Sequence, residues 1–314
     1  VLRGVSFDIR RGRTLCVVGE SGCGKSVTAN SILRLLPELS RIESGSITYY
    51  KEDGSEVRLD QLEKNGKEMR ALRGQDIAII FQDPMTALNP VFTVGYQIEE
   101  MLREHKKGLT KAQYKAEAIE DLADMGIPAP EIRYGEYPHQ FSGGMRQRSM
   151  IAMGMSCEPK ILLADEPTTA LDVTISAQIF DLMNELKEKH GTAIMMITHN
   201  MGVVAEMADE VAVMYMGNIV EYGKAEDIFT NPTHPYTKAL LRSIPILGKG
   251  KNQQLEPIRG STPDPFNRPK GCQFCPRCDY ACERCETEMP PEQWVKEGHY
   301  SRCFNYKEVM ASGK

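Results

Sequence analysis

The chain has 314 residues, of which 41% are hydrophobic and 26% charged, and this ordinary globular balance excludes wholesale disorder. The formal net charge is −5, which argues against a protein that binds nucleic acid mainly through positive charge. The longest apolar runs, residues 194–197 and 211–216, are far shorter than the roughly 18 residues that a membrane-spanning helix needs. We therefore expect no integral membrane segment, and the first residues predict no signal peptide.

Residues 1–225 are predicted to alternate strands with helices. Apolar side chains at Ile175, Ile179 and Met183 follow helical spacing. Continuous apolar runs are typical of strands buried on both faces of a largely parallel sheet, and they occur at residues 15–18, 77–81, 161–164 and 193–197. This alternation predicts an α/β core.

Two segments interrupt the alternation. Residues 46–50 and 57–59, separated by a polar turn, predict an antiparallel β subdomain in the form of a hairpin. Residues 94–155 lack strong strand signals, and we place an inserted helical subdomain at about residues 90–158.

The composition changes after about residue 222. Prolines become frequent, and six of the nine cysteines follow between Cys272 and Cys303. This pattern predicts a small, loop-rich and Cys-rich module at residues 229–314, after a core at residues 1–228, with a frayed end from about residue 307. Cysteines gathered in one segment favour a reducing compartment and a local metal or cluster site.

A phosphate-binding loop follows the first predicted strand. The segment matches the pattern G-x-x-x-x-G-K-[ST] and precedes a predicted helix. Backbone N–H groups of such a loop, with the helix N-terminus, bind phosphate oxygens. Lys25 is expected to reach the β- and γ-phosphates of a nucleoside triphosphate, and the Ser26 hydroxyl to bind Mg²⁺. The candidate nucleotide-binding residues are Gly19, Glu20, Ser21, Gly22, Cys23, Gly24, Lys25, Ser26 and Val27.

Two carboxylates end the predicted strand at residues 161–164. We expect Asp165 to hold Mg²⁺, directly or through water. Glu166 lies one residue further on, where it could polarise an attacking water molecule.

These features resemble the ATP-binding-cassette ATPases, in which two cassettes enclose two ATP molecules. Phe141-Ser142-Gly143-Gly144-Met145 is similar to the family signature L-S-G-G-Q, with departures at Phe141 and Met145. The resemblance implies that Ser142, Gly143 and Gly144 serve the nucleotide of the opposite subunit. As a bare string, the segment also predicts a helix with Ser142 at its N-cap.

Three further elements of that family are present, one before the signature segment and two after it. Gln82 resembles the glutamine that lies near Mg²⁺ and the attacking water, and Asp172, in Ala170-Leu171-Asp172, resembles the loop that contacts the opposite subunit. His199 resembles the histidine that bonds the γ-phosphate. The resemblance implies Glu166, His199 and Gln82 as catalytic residues, and Ser26, Gln82 and Asp165 around Mg²⁺. No aromatic residue upstream of the loop is placed to stack on adenine, and we expect that residue to precede Val1.

The C-terminal region resembles that of dipeptide and oligopeptide importer ATPases. Residues 231–237, with the sequence NPTHPYT, are similar to the element that opens this region in those proteins. From the residues alone, the string predicts only a turn or connector. The form of the signature favours the D-type subunit, which pairs with an F-type relative.

The cysteines allow more than one ligand set. Four converging thiolates can hold a [4Fe–4S] cluster or zinc. The importer resemblance selects Cys272, Cys278, Cys285 and Cys303, and the alternative is a ferredoxin-like set that begins with Cys272, Cys275 and Cys278. We favour the iron–sulfur cluster over zinc, in the role of a structural staple.

The resemblance implies a cytoplasmic ATPase subunit, peripheral on the inner membrane face, that uses ATP and Mg²⁺ to power di- or oligopeptide uptake. Its implied partners are a second cassette subunit (F-type or a copy of itself), two membrane permeases and an extracytoplasmic solute-binding protein, without nucleic acid. The alternatives are an importer of nickel or another solute, a soluble cassette acting on nucleic acid, and a cassette regulated by a redox or metal-sensing module.

Overall fold

A computed structural model describes residues 1–169, 171–243, 258–264 and 266–312. Its strands are β1 Thr14–Val18, β2 Thr48–Tyr50, β3 Glu56–Arg58, β4 Ile77–Ile80, β5 Ile161–Asp165, β6 Ala193–Thr198, β7 Glu210–Tyr215, β8 Asn218–Lys224, β9 Gln293–Lys296 and β10 His299–Ser301. The helices are α1 Lys25–Ile32, α2 Lys67–Leu72, α3 Pro84–Ala87, α4 Val94–His105, α5 Lys111–Asp124, α6 Pro130–Arg133, α7 Gly143–Met155, α8 Val173–His190, α9 Met201–Met207, α10 Ala225–Thr230, α11 Pro235–Arg242, α12 Glu283–Thr287 and α13 Tyr306–Ala311. The four strands predicted from apolar runs are confirmed as β1, β4, β5 and β6.

The chain divides into two compact units. The first unit comprises Val1–Asp8, Thr14–Val27 and Ile197–Lys314, and the second comprises Ile9–Arg13 and Thr28–Met196. Both sides of the boundary predicted between residues 228 and 229 lie in the first unit, and that boundary stays a prediction.

The first unit is built on the strand order β1-β7-β8-β10-β9. Strand β1 pairs with β7 in parallel, an arrangement that requires a long connection between the two strands. The remaining pairs, β7–β8, β8–β10 and β10–β9, are antiparallel. The apolar run at residues 211–216 supplies the fully buried strand β7.

The C-terminal region is more regular than the predicted loop-rich module. Tyr300 and Ser301 of β10 pair with Tyr222 and Glu221 of β8, so the hairpin β9–β10 continues the sheet that contains β1. The predicted fraying from residue 307 is wrong for the described residues, since α13 covers Tyr306–Ala311 and buries Val309.

The second unit contains the strand order β4-β5-β6, with β4 and β5 parallel, and the separate antiparallel pair β2–β3. The predicted helical subdomain is confirmed. Residues 94–155, all of them described, hold α4 to α7 and no strand. Helices α4, α5 and α7 pack on one another through apolar side chains that exclude water, among them Ile98, Leu102, Leu122 and Ile151.

Candidate functional site: the phosphate loop and its neighbours

The phosphate loop connects β1 to α1 in the first unit. Gly19 has φ +154°, and a Cβ atom there would lie 2.2 Å from the carbonyl oxygen of Met214. Only glycine allows strand β7 to approach this closely. The turn is closed by the Cys23 N–H, which donates to the Glu20 carbonyl oxygen at 3.3 Å. Gly19 is therefore required by packing as well as by phosphate access.

Lys25 is held against the loop. Its Nζ donates to the carbonyl oxygens of Gly19 at 2.8 Å and of Glu20 at 3.2 Å, and only 6% of the residue is exposed. Helix α1 begins at Lys25, one residue before the predicted start at Ser26, so the N-terminus of this helix directly follows the loop. The loop thus presents a buried ammonium group and a helix N-terminus together, an arrangement suited to phosphate.

The carboxylates at the end of β5 lie in the second unit. Asp165 is the last residue of β5 and is 9% exposed, and Glu166 follows it with φ +47°. A left-handed conformation at a residue other than glycine is strained and is typical of functional positions.

Gln82 and Glu166 lie in direct contact. Gln82 Nε2 donates to Glu166 Oε2 at 3.1 Å, and the Thr169 hydroxyl donates to the same oxygen at 2.9 Å. The structure therefore joins two of the three predicted catalytic residues. Gln82 follows β4 and Glu166 follows β5, which is its parallel neighbour. The carboxyl ends of parallel strands meet at one edge of a sheet, which explains this contact between residues 84 positions apart in the chain.

The signature segment and Asp172 both begin helices. The Ser142 hydroxyl accepts from the Met145 N–H at 3.3 Å and caps α7, as predicted from the bare string. Asp172 caps α8 by accepting from the Ile175 N–H at 2.9 Å. Ser142 and Gly143 are exposed. The neighbouring Ala170 lies outside the described residues.

His199 directly follows the last residue of β6. It belongs to the first unit, which resumes at Ile197, and it is exposed. Helix α9 begins just beyond it, capped by Asn200. Lys25 and His199 thus belong to the first unit, while Gln82, Ser142 and Glu166 belong to the second.

The C-terminal cysteines are largely buried, and their arrangement does not support the predicted cluster site. Burial raises the pKa of Cys272 to about 11 and of Cys278 and Cys303 to about 12, and neighbouring thiols add to each rise. Cys285 Sγ instead contacts Cys282 Sγ at 3.5 Å, a cysteine outside the preferred set. Among the described residues, no group of three or more His, Cys, Asp or Glu side chains is arranged to hold a metal ion. The structure therefore does not support the predicted [4Fe–4S] cluster or zinc site.

The NPTHPYT segment was predicted only as a connector, yet its residues make specific buried contacts. The Glu221 carboxylate accepts from the N–H groups of Thr233 at 2.7 Å and of His234 at 2.9 Å. The Tyr236 hydroxyl accepts from the N–H of Glu20 in the phosphate loop at 2.8 Å. These partners are 12 to 216 positions apart in the chain, so no local pattern could have indicated them.

Comparison with known proteins agrees with this geometry. The profile of the ABC transporter family matches residues 2–169, and that of the oligopeptide/dipeptide transporter C-terminal region matches residues 220–285. The dipeptide transport ATP-binding protein DppD of Bacillus subtilis is 50% identical over 304 residues, which are 96% of this chain and 88% of that protein. The oligopeptide transport ATP-binding protein AppD of the same organism is 47% identical over 309 residues, covering 98% of this chain and 92% of that protein.

Among solved structures, a dimeric post-hydrolysis state of the ATP-binding cassette MJ0796, bound to ADP and Pi, superimposes with a TM-score of 0.62. It is 27% identical and covers 71% of this chain and 90% of that chain. No helix among the described residues is both long and apolar enough to cross a membrane. The chain belongs to the ABC transporter family, among the ATP-binding proteins that carry the oligopeptide/dipeptide transporter C-terminal region.

Proposed function

We propose that this chain binds MgATP at the loop from Gly19 to Val27 and hydrolyses it, with Glu166 polarising the attacking water. The observation that carries the proposal is the contact between Gln82 and Glu166 at 3.1 Å. Gln82 donates to the carboxylate and so fixes its orientation, which a general base needs before substrate arrives. Lys25 exchanges the carbonyl oxygens of the loop for phosphate oxygens. Lys25 and the backbone N–H groups then stabilise the charge that develops during phosphoryl transfer.

The remaining site residues have the following roles in this proposal. Ser26, Asp165 and Gln82 lie around the Mg²⁺ of the nucleotide, and His199 bonds the γ-phosphate. Ser142, Gly143, Gly144 and Asp172 serve the nucleotide held by a second cassette subunit. What supports this division is that Ser142 and Asp172 each sit at an exposed helix N-terminus, where a further anion is favoured. ATP binding then favours the closed pair, and hydrolysis reopens it.

The transported solute is proposed to be a di- or oligopeptide. The relatives that cover nearly all of this chain are named as dipeptide and oligopeptide transport ATP-binding proteins, which favours peptide over nickel. In this proposal the chain works with a second ATPase subunit (F-type or a copy of itself), two membrane permeases and an extracytoplasmic solute-binding protein. Its place is then the cytoplasmic face of the membrane, held by the permeases.

A substitution at Glu166 tests the ATPase. Glu166→Gln keeps the size of the side chain and removes the base, so hydrolysis by the purified transporter should fall by about a hundredfold or more. ATP should still bind and should hold the cassette subunits together on gel filtration. Thr169→Val is the matched control, because it removes a neighbour of the same carboxylate oxygen without removing the base. Turnover by Glu166→Gln that equals the control would exclude Glu166 as the base.

The cluster is a separate proposal. We propose that Cys272, Cys278, Cys285 and Cys303 hold a [4Fe–4S] cluster, with zinc as the alternative. In its favour, the charges of Cys303, Cys272 and Cys285 each raise the pKa of Cys278, after the larger effect of burial, so these thiols are neighbours. Against it, no metal-holding arrangement exists among the described residues. Protein purified without oxygen should be brown, with about four irons per chain, and a colourless, iron-free preparation would refute the cluster.

A further inference from the structure

Glu20, the second residue of the phosphate loop, is bound by the C-terminal region. Arg277 Nη1 donates to Glu20 Oε2 at 2.7 Å, and Nη2 donates to Oε1 at 3.0 Å. Two parallel bonds between a guanidinium and a carboxylate make the most specific ion pair available to side chains. The Arg277 side chain is only 4% exposed, so solvent screens this pair little.

Several further contacts hold the Arg277 side chain beside the loop. Its Nε donates to the Arg259 carbonyl oxygen at 2.7 Å, and Nη1 also reaches the Tyr215 hydroxyl at 3.3 Å. The guanidinium lies 5.9 Å from the ring centres of Tyr215 and Phe274. Lysine could not reproduce this planar fork, because its ammonium is a single point of charge.

Two further groups complete the hold on Glu20. The Thr262 hydroxyl donates to Glu20 Oε2 at 3.0 Å, and the Tyr236 hydroxyl accepts from the Glu20 N–H at 2.8 Å. Tyr236 is fully buried and packs on Tyr215 with ring centres 4.7 Å apart. The backbone and the carboxylate of Glu20 are therefore both positioned by residues more than 200 places along the chain.

The ion pair with Arg277 also compensates the negative charge of Glu20. Burial raises the pKa of Glu20, but the hydrogen bonds and charge of Arg277 outweigh it, so the pKa is lowered and the carboxylate is ionised at neutral pH. A bare carboxylate inside a phosphate loop would repel a triphosphate. Arg277 neutralises that charge at the same time as it fixes the loop.

We infer that Arg277 is a positioning residue for the nucleotide: the C-terminal region neutralises Glu20 and fixes the phosphate loop in its ATP-binding form. This inference rests on the proposed function. It gives the C-terminal region a direct part in ATP affinity, in addition to any role in assembly.

The test is the affinity of the full-length chain for a fluorescent ATP analogue in the presence of Mg²⁺. Losing a buried, charge-assisted bond should weaken binding by about tenfold or more in Arg277→Met. Arg277→Lys and Glu20→Asp should weaken it in the same direction, because each keeps its charge but cannot keep both bonds. In the double variant Glu20→Gln/Arg277→Met the uncompensated charge is gone but the two bonds that fix the loop are still missing, so affinity should recover only part of what Arg277→Met loses. A merely structural role for Arg277 predicts no such recovery.

Two controls separate the possible failures. Arg259→Met removes a side chain of the same region that pairs on the surface with Asp279, and it should bind the nucleotide like the wild type. Lys25→Met should abolish binding if the proposed function is right. Should the wild type fail to bind, or Lys25→Met bind equally well, the proposed function fails.

The inference itself is overturned if Lys25→Met loses binding while Arg277→Met stays within about twofold of the wild type, or if adding Glu20→Gln restores none of the affinity that Arg277→Met loses. Should Arg277→Met fail to fold, Glu20→Asp decides in the same way. That change lies in a residue whose side chain is already 27% exposed.

Discussion

A buried carboxylate fastens the C-terminal region to the sheet, and its removal should be costly. Glu221 in β8 is fully buried. Besides the N–H groups of Thr233 and His234, its carboxylate accepts from the Thr233 hydroxyl at 2.7 Å and from His299 Nε2 at 2.9 Å. These partners join β8, the NPTHPYT segment and β10. Glu221→Gln retains the shape but turns one of the two acceptor oxygens into a donor.

The loss in the free energy of unfolding follows from the hydrogen-bond donors that the new amide group would contact. Each oxygen of Glu221 is met by a donor, so either orientation of the substituted amide sets two donors against each other. A buried donor left without an acceptor costs about 1–3 kcal/mol, and bonds to a charged acceptor contribute more than neutral ones. We expect the free energy of unfolding to fall by about 3 kcal/mol. With m values of about 1–3 kcal/mol/M, the urea midpoint should fall by roughly 1–3 M.

The single tryptophan of the chain makes this measurable. Trp294 lies in β9 and meets Tyr300 of β10 edge-on, with ring centres 5.4 Å apart. Its fluorescence therefore reports directly on the hairpin that Glu221 supports. Glu297→Gln, at an exposed position in the same hairpin, is the matched control and should change stability by less than about 0.5 kcal/mol. A Glu221→Gln midpoint equal to that control would refute the reasoning.

Three further outcomes are expected. Burial lowers the pKa of His234 to about 4, against an opposing effect of Glu221. The unfolded chain takes up this proton below about pH 6.5 and the folded chain does not, so the free energy of unfolding should fall by about 2 kcal/mol between about pH 6.5 and pH 5. His234→Asn, which can still cap α11, should remove that slope, and an unchanged slope would contradict the assignment. In iodoacetamide labelling followed by mass spectrometry, Cys282, whose pKa is lowered by its hydrogen bonds to Cys285, should react before the buried Cys303. The reverse order would show that this pairing is wrong. Gly19→Ala should abolish binding of the ATP analogue because its Cβ would meet backbone 2.2 Å away, whereas Gly135→Ala, whose Cβ would meet nothing nearer than 3.6 Å, should bind normally. Binding by Gly19→Ala would mean that β7 can move aside.

The nucleotide-site elements could be predicted because their chemistry is local. A phosphate loop needs a strand, a Gly-rich turn and a helix within a few residues, and the caps at Ser142 and Asp172 depend on neighbours three residues away. The contact between Gln82 and Glu166 was not predicted, and it is explained by the observed parallel pairing of β4 with β5. The contacts of Glu20 could not be predicted in this way. The loop pattern permits any residue at its position, and its partners Tyr236 and Arg277 are 216 and 257 residues distant.

The hairpin β9–β10 was missed because its signals are weak. Its strands have four and three residues, and exposed Trp294 and buried His299 run against a simple alternation of apolar and polar side chains. The pair Glu297-Gly298, with Gly298 at φ +74°, is the kind of two-residue connection that could have indicated it. The terminal helix α13 was likewise unpredictable, because it is fixed partly by Lys238, whose Nζ donates to the Val309 carbonyl oxygen at 3.2 Å.

Release of a labelled dipeptide from sealed, inside-out membrane vesicles tests the central claim most directly, because the cytoplasmic face is then on the outside. Vesicles that carry the assembled transporter, loaded with the dipeptide and the solute-binding protein, should release the dipeptide only when MgATP is added outside. Lys25→Met and Glu166→Gln should each abolish the ATP-dependent flux, whereas Arg259→Met should leave it intact. Dipeptide flux that persists at the wild-type rate in Lys25→Met vesicles would contradict the account.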